Sequence, residues 1–340
     1  MKTGAPVVGT LPAGARNAIT DVAGVSVGHC TLADGACQTG VTVIRPHAGN
    51  VYLDKVPAAA AVLNGFGKSI GLVQVEELGV LETPIALTNT FSVGALAQAQ
   101  IRAAIADNPE IGRAWPTVNP LVFECNDGYL NDIQAMAVQT QHYDAALAAA
   151  GAEVIQGAVG AGRGMSSFGV KGGIGTASRT VDGYTVGALV LSNFGSPASL
   201  IYAGRPLGAA LDACLKQPAA PEKGSIIMIV ATDAPLDARQ LRRLALRAGT
   251  GLARTGSVYG HGSGDIALAF STAYTVPHQA DAPMPAVPMR HEATLDPLFR
   301  AAADSVEQAI VHALWHAETV QGRDGHVRRA LRDILQDLTA

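Results

Sequence analysis

Lys216-Gln-Pro-Ala-Ala-Pro-Glu-Lys-Gly224 runs directly into Ser225-Ile-Ile-Met-Ile-Val-Ala231, a polar, proline-bearing loop followed by an unbroken hydrophobic run. The length and β-branched content of that run predict a buried strand. Its first residue is a serine, and the residue before it is a glycine. Cutting the 224–225 bond would give Ser225 a free α-amine. Such an amine has a pKa of about 8, against about 10.4 for lysine, so part of it is neutral and basic near pH 7. One residue would then carry both a hydroxyl nucleophile and its base. Glycine at 224 tolerates the strained backbone that an N-to-O acyl shift needs. The plainer reading of Gly224-Ser225 is a turn at a loop–strand junction.

Moving outward, Gly173–Thr180 and Tyr184–Leu191 read as two strands joined through Asp182-Gly183, a strong hairpin signal. Val25–Cys30, Thr39–Arg45, Ala58–Leu63, Pro84–Thr88 and Ile266–Tyr274 read as further strands. Helical spacing marks Leu72–Leu81, Val93–Ala106 and Asp132–Ala150. After the serine strand comes an amphipathic helix with Leu241, Leu244, Ala245, Ala248 and Leu252 on one face. Its arginines 239, 242, 243 and 247 are expected on a solvated face. A last helix over 297–319 takes Asp296 as its N-cap and Pro297 in its first turn. Residues 1–16 read as a loose lead-in. No repeat and no linker divides the chain, so one domain over 1–340 is expected. Strand periodicity with helices before and after it predicts a layered α/β domain, helices covering two packed sheets.

Of the 340 residues 48% are apolar and 15% charged, so much of the chain must be buried in a core or in subunit contacts. The net charge of −4 and the absence of a basic block argue against a nucleic-acid partner. No apolar run is long enough to span a membrane, and the first residues lack the apolar core of a signal peptide, so a cytoplasmic protein is expected. Cys30, Cys37, Cys125 and Cys214 show no metal-binding spacing. Cys30 and Cys37 are close enough in sequence to pair, but four reduced thiols are expected.

Four segments combine polar groups with glycine: Glu124-Cys-Asn-Asp-Gly-Tyr-Leu-Asn131, the stretch Gly157–Arg179, Leu191-Ser-Asn-Phe-Gly-Ser-Pro197 and His261-Gly-Ser-Gly-Asp265. Each alone is explained by turns or strand ends. The stretch from Gly157 lacks the GK[ST] ending of a phosphate loop.

Together with Asn64-Gly-Phe-Gly-Lys68, Thr88-Asn-Thr-Phe-Ser-Val-Gly94, Lys171-Gly-Gly-Ile-Gly-Thr-Ala-Ser-Arg179, Gly224-Ser-Ile-Ile227 and Ala231-Thr-Asp-Ala-Pro-Leu236, these segments resemble the DmpA family, the L-aminopeptidase/D-Ala-esterase group that includes the β-peptidyl aminopeptidases. The motifs occur in order over roughly residues 17 to 320. The resemblance implies a four-layer αββα sandwich, arranged like N-terminal-nucleophile hydrolases with different strand connections. It implies self-cleavage between Gly224 and Ser225 into chains 1–224 and 225–340, assembled as a homotetramer. Position by position it makes Ser225 the nucleophile and places Asn193 and Tyr129 around the oxyanion. It places Ser263 and Asp265 beside the new N-terminus. The expected substrates are short peptides, amides or esters with a free amine, and no cofactor or metal is expected.

Two positions depart from the family pattern: His261, before Gly262-Ser-Gly, and Arg163, in the glycine stretch. Both are candidates to line the substrate pocket. Glu124 and Asp127 are candidates, from charge alone, for the group that receives the substrate ammonium. Two other readings remain open. One is an acyltransferase like the ornithine acetyltransferase group, against which serine in place of threonine argues. The other is a non-catalytic binding protein on the same fold.

Overall fold

Both faces of the strand that carries Ser225 are apolar, and the fold follows from covering each of them; the strand starts at Lys223, two residues before the serine. Side chains alternate across a strand. Ile227, Ile229 and Ala231 enter one core while Ile226, Met228 and Val230 enter another. The computed structural model describes residues 4–216 and 223–337, so the prolines of the loop before Ser225 lie outside the described residues.

In chain order the main strands are β1 (Ser26–Asp34), β2 (Cys37–Arg45), β3 (Asp54–Gly65), β4 (Ile85–Asn89), β5 (Val122–Cys125), β6 (Gly173–Val181), β7 (Tyr184–Asn193), β8 (Lys223–Thr232) and β9 (Gly262–Ser271). They form a small sheet, β1-β2-β4-β5, and a larger one whose central order is β3-β9-β8-β7-β6. The main helices are α1 (Leu72–Leu78), α2 (Val93–Asp107), α3 (Thr140–Ala148), α4 (Gly208–Leu215), α5 (Ala238–Ala253) and α6 (Asp296–His316).

Three cores account for the layers. Val93, Leu96 and Ala99 of α2 and Tyr143 and Ala146 of α3 cover the outer face of the small sheet. Ile44, Leu87 and Phe123 meet Leu189, Leu191, Ile227 and Leu268 between the two sheets. Leu241, Leu244 and Ala248 of α5 and Val306 and Ile310 of α6 cover the outer face of the large sheet. The order is therefore α, β, β, α, as expected. Burying a Leu or Ile side chain stabilises by roughly 1.5–3 kcal/mol, so these three cores carry most of the fold's stability.

The hairpin between β6 and β7 turns through Asp182 and Gly183 at φ of 53° and 79°, the left-handed pair a two-residue hairpin requires. Strands β8 and β9 run parallel, with α5 as the crossover between them. This parallel pair puts the first residues of β8 and β9 side by side. The antiparallel neighbours β7 and β3 deliver their last residues to the same end.

Several expectations change in detail. The first helix stops at Leu78, and Val80–Leu81 turns back to pair with β3. Only Thr140–Ala148 of the 132–150 stretch is α-helical. Before it, the Asp132 amide bonds the Ala36 carbonyl at 2.8 Å and Met136 takes a φ of 45°, which together start a turn instead. Leu295, not Asp296, caps α6, and Asp296 complements the helix dipole from the first turn. Strand β5 and helix α4 were not expected. The lead-in is held: Val8 is bonded through its amide to Gln308 at 2.8 Å and through its carbonyl to the buried Arg179 at 2.7 Å. Of the arginines on α5, Arg243 and Arg247 stack on Phe299 of α6, at 5.1 and 4.1 Å, so that face is only partly given to solvent. All four cysteines are free thiols.

Candidate active site

Alternation along β8 puts Ser225 on the inward face, in line with Ile227 and Ile229. On β7 the same rule puts Asn193 in line with Leu189 and Leu191. Ser225 and Asn193 are register partners. On the other side of Ser225, β9 brings Gly264 opposite it and Ser263 opposite Gly224. Ser225, Asn193, Ser263 and Asp265 are all buried.

Two glycines make this packing possible. Gly224 takes a φ of +146°, and a Cβ there would lie 2.0 Å from the Asn193 carbonyl oxygen. A Cβ on Gly264 would lie 2.7 Å from the Phe66 carbonyl oxygen and 3.1 Å from the Ser225 hydroxyl. Instead, the Gly264 N–H donates to Ser225 Oγ at 3.2 Å. Real side chains do not tolerate the first two contacts, so both positions need glycine.

Around the serine the polar groups are tied in place. Asn193 Oδ1 accepts the Ser166 N–H at 2.8 Å, and its Nδ2 donates to the Asn126 carbonyl at 3.0 Å. One of the two Nδ2 hydrogens is thereby used and the other remains. Ser263 Oγ donates to Asp265 Oδ1 at 2.7 Å. Asn64 at the end of β3 donates to the carbonyls of Gly260 and Ser263 and so fixes the turn into β9.

A cavity of ≈ 610 Å³ opens over Ser225. Asn193 and Gly224 line it beside the serine, and Glu124, Tyr129, Lys68 and Arg328 form much of its polar wall. Glu124 Oε1 accepts the Lys68 N–H at 2.8 Å, and Oε2 accepts the Thr90 hydroxyl. Tyr129 is 39% exposed, and its ring lies against both the Arg328 guanidinium and the His326 imidazole.

The structure thus brings Ser225, Asn193, Tyr129, Ser263, Asp265 and Glu124 to one end of the sheets, with Ser263 and Asp265 behind the serine. It places three other candidates elsewhere. Asp127 is fully buried and does not line the cavity; Asn131 Nδ2 donates to its Oδ1 at 3.1 Å. Burial pushes its carboxyl up to about 7, with Thr39, Asn131 and Asn89 beside it opposing the rise. Arg163 lies outside the cavity lining, bonded to Gln38 at 2.7 Å and paired with Glu318 at 2.6 Å. His261 is exposed, with its ring 6.1 Å from that of Phe66, and the wall at that point is Gly262. Lys171 of the glycine stretch is also spoken for: its buried ammonium donates to the carbonyls of Gly162, Met165 and Gly172 at 2.8–2.9 Å. That holds the stretch as a scaffold and leaves no phosphate cradle.

Sequence reasoning passed over Lys68, Thr90, Ser166 and Arg328. Lys68, Thr90 and Ser166 lie within the motif segments, which is the signal that could have found them; Arg328 lies in none. Among the described residues no group of three or more His, Cys, Asp or Glu side chains is placed to hold a metal ion.

The β-peptidyl aminopeptidase BapA of Sphingosinicella xenopeptidilytica is 40% identical over 345 residues, covering 94% of this chain and 85% of its own. The crystal structure of the PH0078 protein from Pyrococcus horikoshii superposes with a TM-score of 0.91 at 48% identity, covering 97% of this chain and 95% of that one. The L-aminopeptidase D-Ala-esterase/amidase of Ochrobactrum anthropi, described as a prototype serine aminopeptidase and a variant of the Ntn hydrolase fold, superposes with a TM-score of 0.88 at 36% identity. It covers 99% of this chain and 97% of its own. Residues 17–328 match peptidase family S58, and the chain belongs to that family.

Proposed function

We propose that this chain cuts itself between Gly224 and Ser225 and then works as an aminopeptidase through Ser225. The observation that carries the reading is the register at the head of β8. Gly224 sits opposite Ser263, and Ser225 sits between Gly264 and Asn193 under the cavity. Cutting the bond between Gly224 and Ser225 would leave the new α-amine beside the Ser263–Asp265 pair.

In the first step the Ser225 hydroxyl attacks the Gly224 carbonyl carbon. The C–N bond breaks, the departing nitrogen takes the proton, and Gly224 is left as an ester on Ser225. Water hydrolyses that ester to a Gly224 carboxylate and a free hydroxyl. In catalysis the α-amine accepts the hydroxyl proton as Ser225 attacks a substrate carbonyl. The remaining Asn193 N–H donates to the developing oxyanion, a contribution worth about 10²–10³ in rate at comparable sites. Tyr129, which lines the cavity, donates or relays a proton through its hydroxyl. Glu124 receives the substrate ammonium, so residues are removed from the amino end of short peptides, amides or esters. The family resemblance supports a homotetramer of processed protomers, and the four free thiols fit a cytoplasmic protein.

Intact mass under denaturing conditions tests the first step. Wild type should give two species, residues 1–224 and 225–340, and Ser225→Ala a single uncut chain. Activity of Ser225→Ala should fall on the order of 10⁶-fold, as it does when a serine nucleophile is lost elsewhere. An uncut wild type that still hydrolyses peptides would end the self-processing reading.

A further inference from the structure

Resting on the aminopeptidase reading, we propose that Arg328 binds a free carboxylate on the leaving side of the substrate, so that the cavity selects dipeptides and tripeptides over longer or amidated ones. Arg328 stands on the short strand Val327–Arg328, which pairs with Val320–Gln321. Its guanidinium lies 3.6 Å over the Tyr129 ring, and its Nε donates to Ser166 Oγ at 3.2 Å. These two contacts fix the plane of the group. Among the described residues no carboxylate pairs with it, whereas its chain neighbours Arg323 and Arg329 hold Asp324 and Asp337, each at 2.6 Å. Burial pulls its pKa down from the usual arginine value. A partly desolvated cation without an anion is costly to keep, and a cavity wall is where a ligand can supply the anion. A guanidinium with a fixed plane also matches a carboxylate's two oxygens, which an ammonium does not.

Position on the sheet decides which substrate group it meets. The ammonium acceptor Glu124 lies on the β9 flank of Ser225: a Cβ on Gly67 would touch both Glu124 Oε1, at 3.5 Å, and Gly264 Cα, at 3.9 Å. Arg328 lies on the β7 flank, because its partner Ser166 donates its N–H to Asn193. The strand order puts β8 between β9 and β7. The two flanks are therefore two strand spacings apart, about 10 Å. A substrate crossing them has its ammonium at Glu124, its scissile carbonyl at Ser225 and its leaving group towards Arg328. Two or three extended residues span about 7–10 Å. Lys68, the other cavity cation, lies on the Glu124 flank and has its ammonium 4.6 Å from the Phe66 ring centre.

The test compares kcat/KM for alanyl-alanine and its C-terminal amide, and for the β-alanyl counterparts, in processed wild type, Arg328→Gln and Arg328→Lys. Wild type should favour the free acid. Arg328→Gln should lower the acid-to-amide ratio by about 10²-fold, and Arg328→Lys should restore part of it. Equal losses on acid and amide in Arg328→Gln, or an unchanged ratio, would overturn the proposal while leaving the aminopeptidase reading in place. Turnover of neither substrate by wild type would overturn that reading, and this proposal with it.

Discussion

Glu124 and Asp127 are three residues apart in one segment, and the structure gives them opposite surroundings. Glu124 is the next-to-last residue of β5, with both oxygens hydrogen-bonded, to the Lys68 N–H and the Thr90 hydroxyl, in a cavity wall open to substrate. Asp127 is sealed behind that wall, with Oδ1 bonded to Asn131 and Oδ2 without a partner. Charge made them equal candidates for the ammonium site. Position separates them: Glu124 faces the cavity with a donor on each oxygen, whereas burial away from it raises the Asp127 carboxyl to about 7.

The comparison breaks most sharply at Glu124. Glu124→Gln keeps an oxygen for the Lys68 N–H and removes the charge. Its kcat/KM on peptides with a free amine should fall roughly 10²–10³-fold, in line with roughly 2–5 kcal/mol for truncating one member of a desolvated charge pair. A fall below tenfold would return the ammonium site to another residue.

Asp127→Asn should act on stability instead. With its carboxyl raised from 3.8 to about 7, the folded chain keeps a proton that the unfolded chain gives up. The resulting stabilisation is complete below about pH 4 and is lost as pH rises to about 7, a swing of roughly 4 kcal/mol from three pKa units. Denaturant unfolding across that window should show the swing in wild type and a flatter profile in Asp127→Asn. Parallel profiles would mean that Asp127 is charged throughout.

The same contrast explains what could be read in the sequence and what could not. The β8 strand, the Asp182-Gly183 hairpin and the apolar face of α5 were legible because local pattern and tertiary burial agree there. Strand β5 was not, because it is four residues long and its partners arrive from β4 and from Ile70, far off in sequence. Ser225, Asn193, Ser263 and Asp265 carried motif signals. Arg328 had none: only the pairing of Val327–Arg328 with Val320–Gln321 and the packing on Tyr129 place it at the cavity. Arg163 broke the family pattern and looked functional, yet Gln38 and Glu318 account for it. A position's departure from a pattern says nothing about which way its side chain leaves the backbone.

The smallest effect we expect reports on Asp127 from outside. Cys37 is only partly buried, and its thiol pKa is raised first by burial and then by the charges of Asp127, Asp34 and Asp132. Thiolate is the reactive form, so removing one of those charges should speed alkylation of Cys37. At pH 8 Asp127 is largely ionised, and Asp127→Asn should raise the rate at Cys37 about two-fold, since a single partly screened charge is worth only tenths of a kcal/mol. At pH 6 the carboxyl is mostly neutral and the two proteins should react alike. Peptide mapping after timed iodoacetamide treatment separates Cys37 from Cys30 and Cys214. A rate ratio that stays constant from pH 6 to 8 would show that Asp127 does not titrate between them, and the distinction drawn from Glu124 would then rest on position alone.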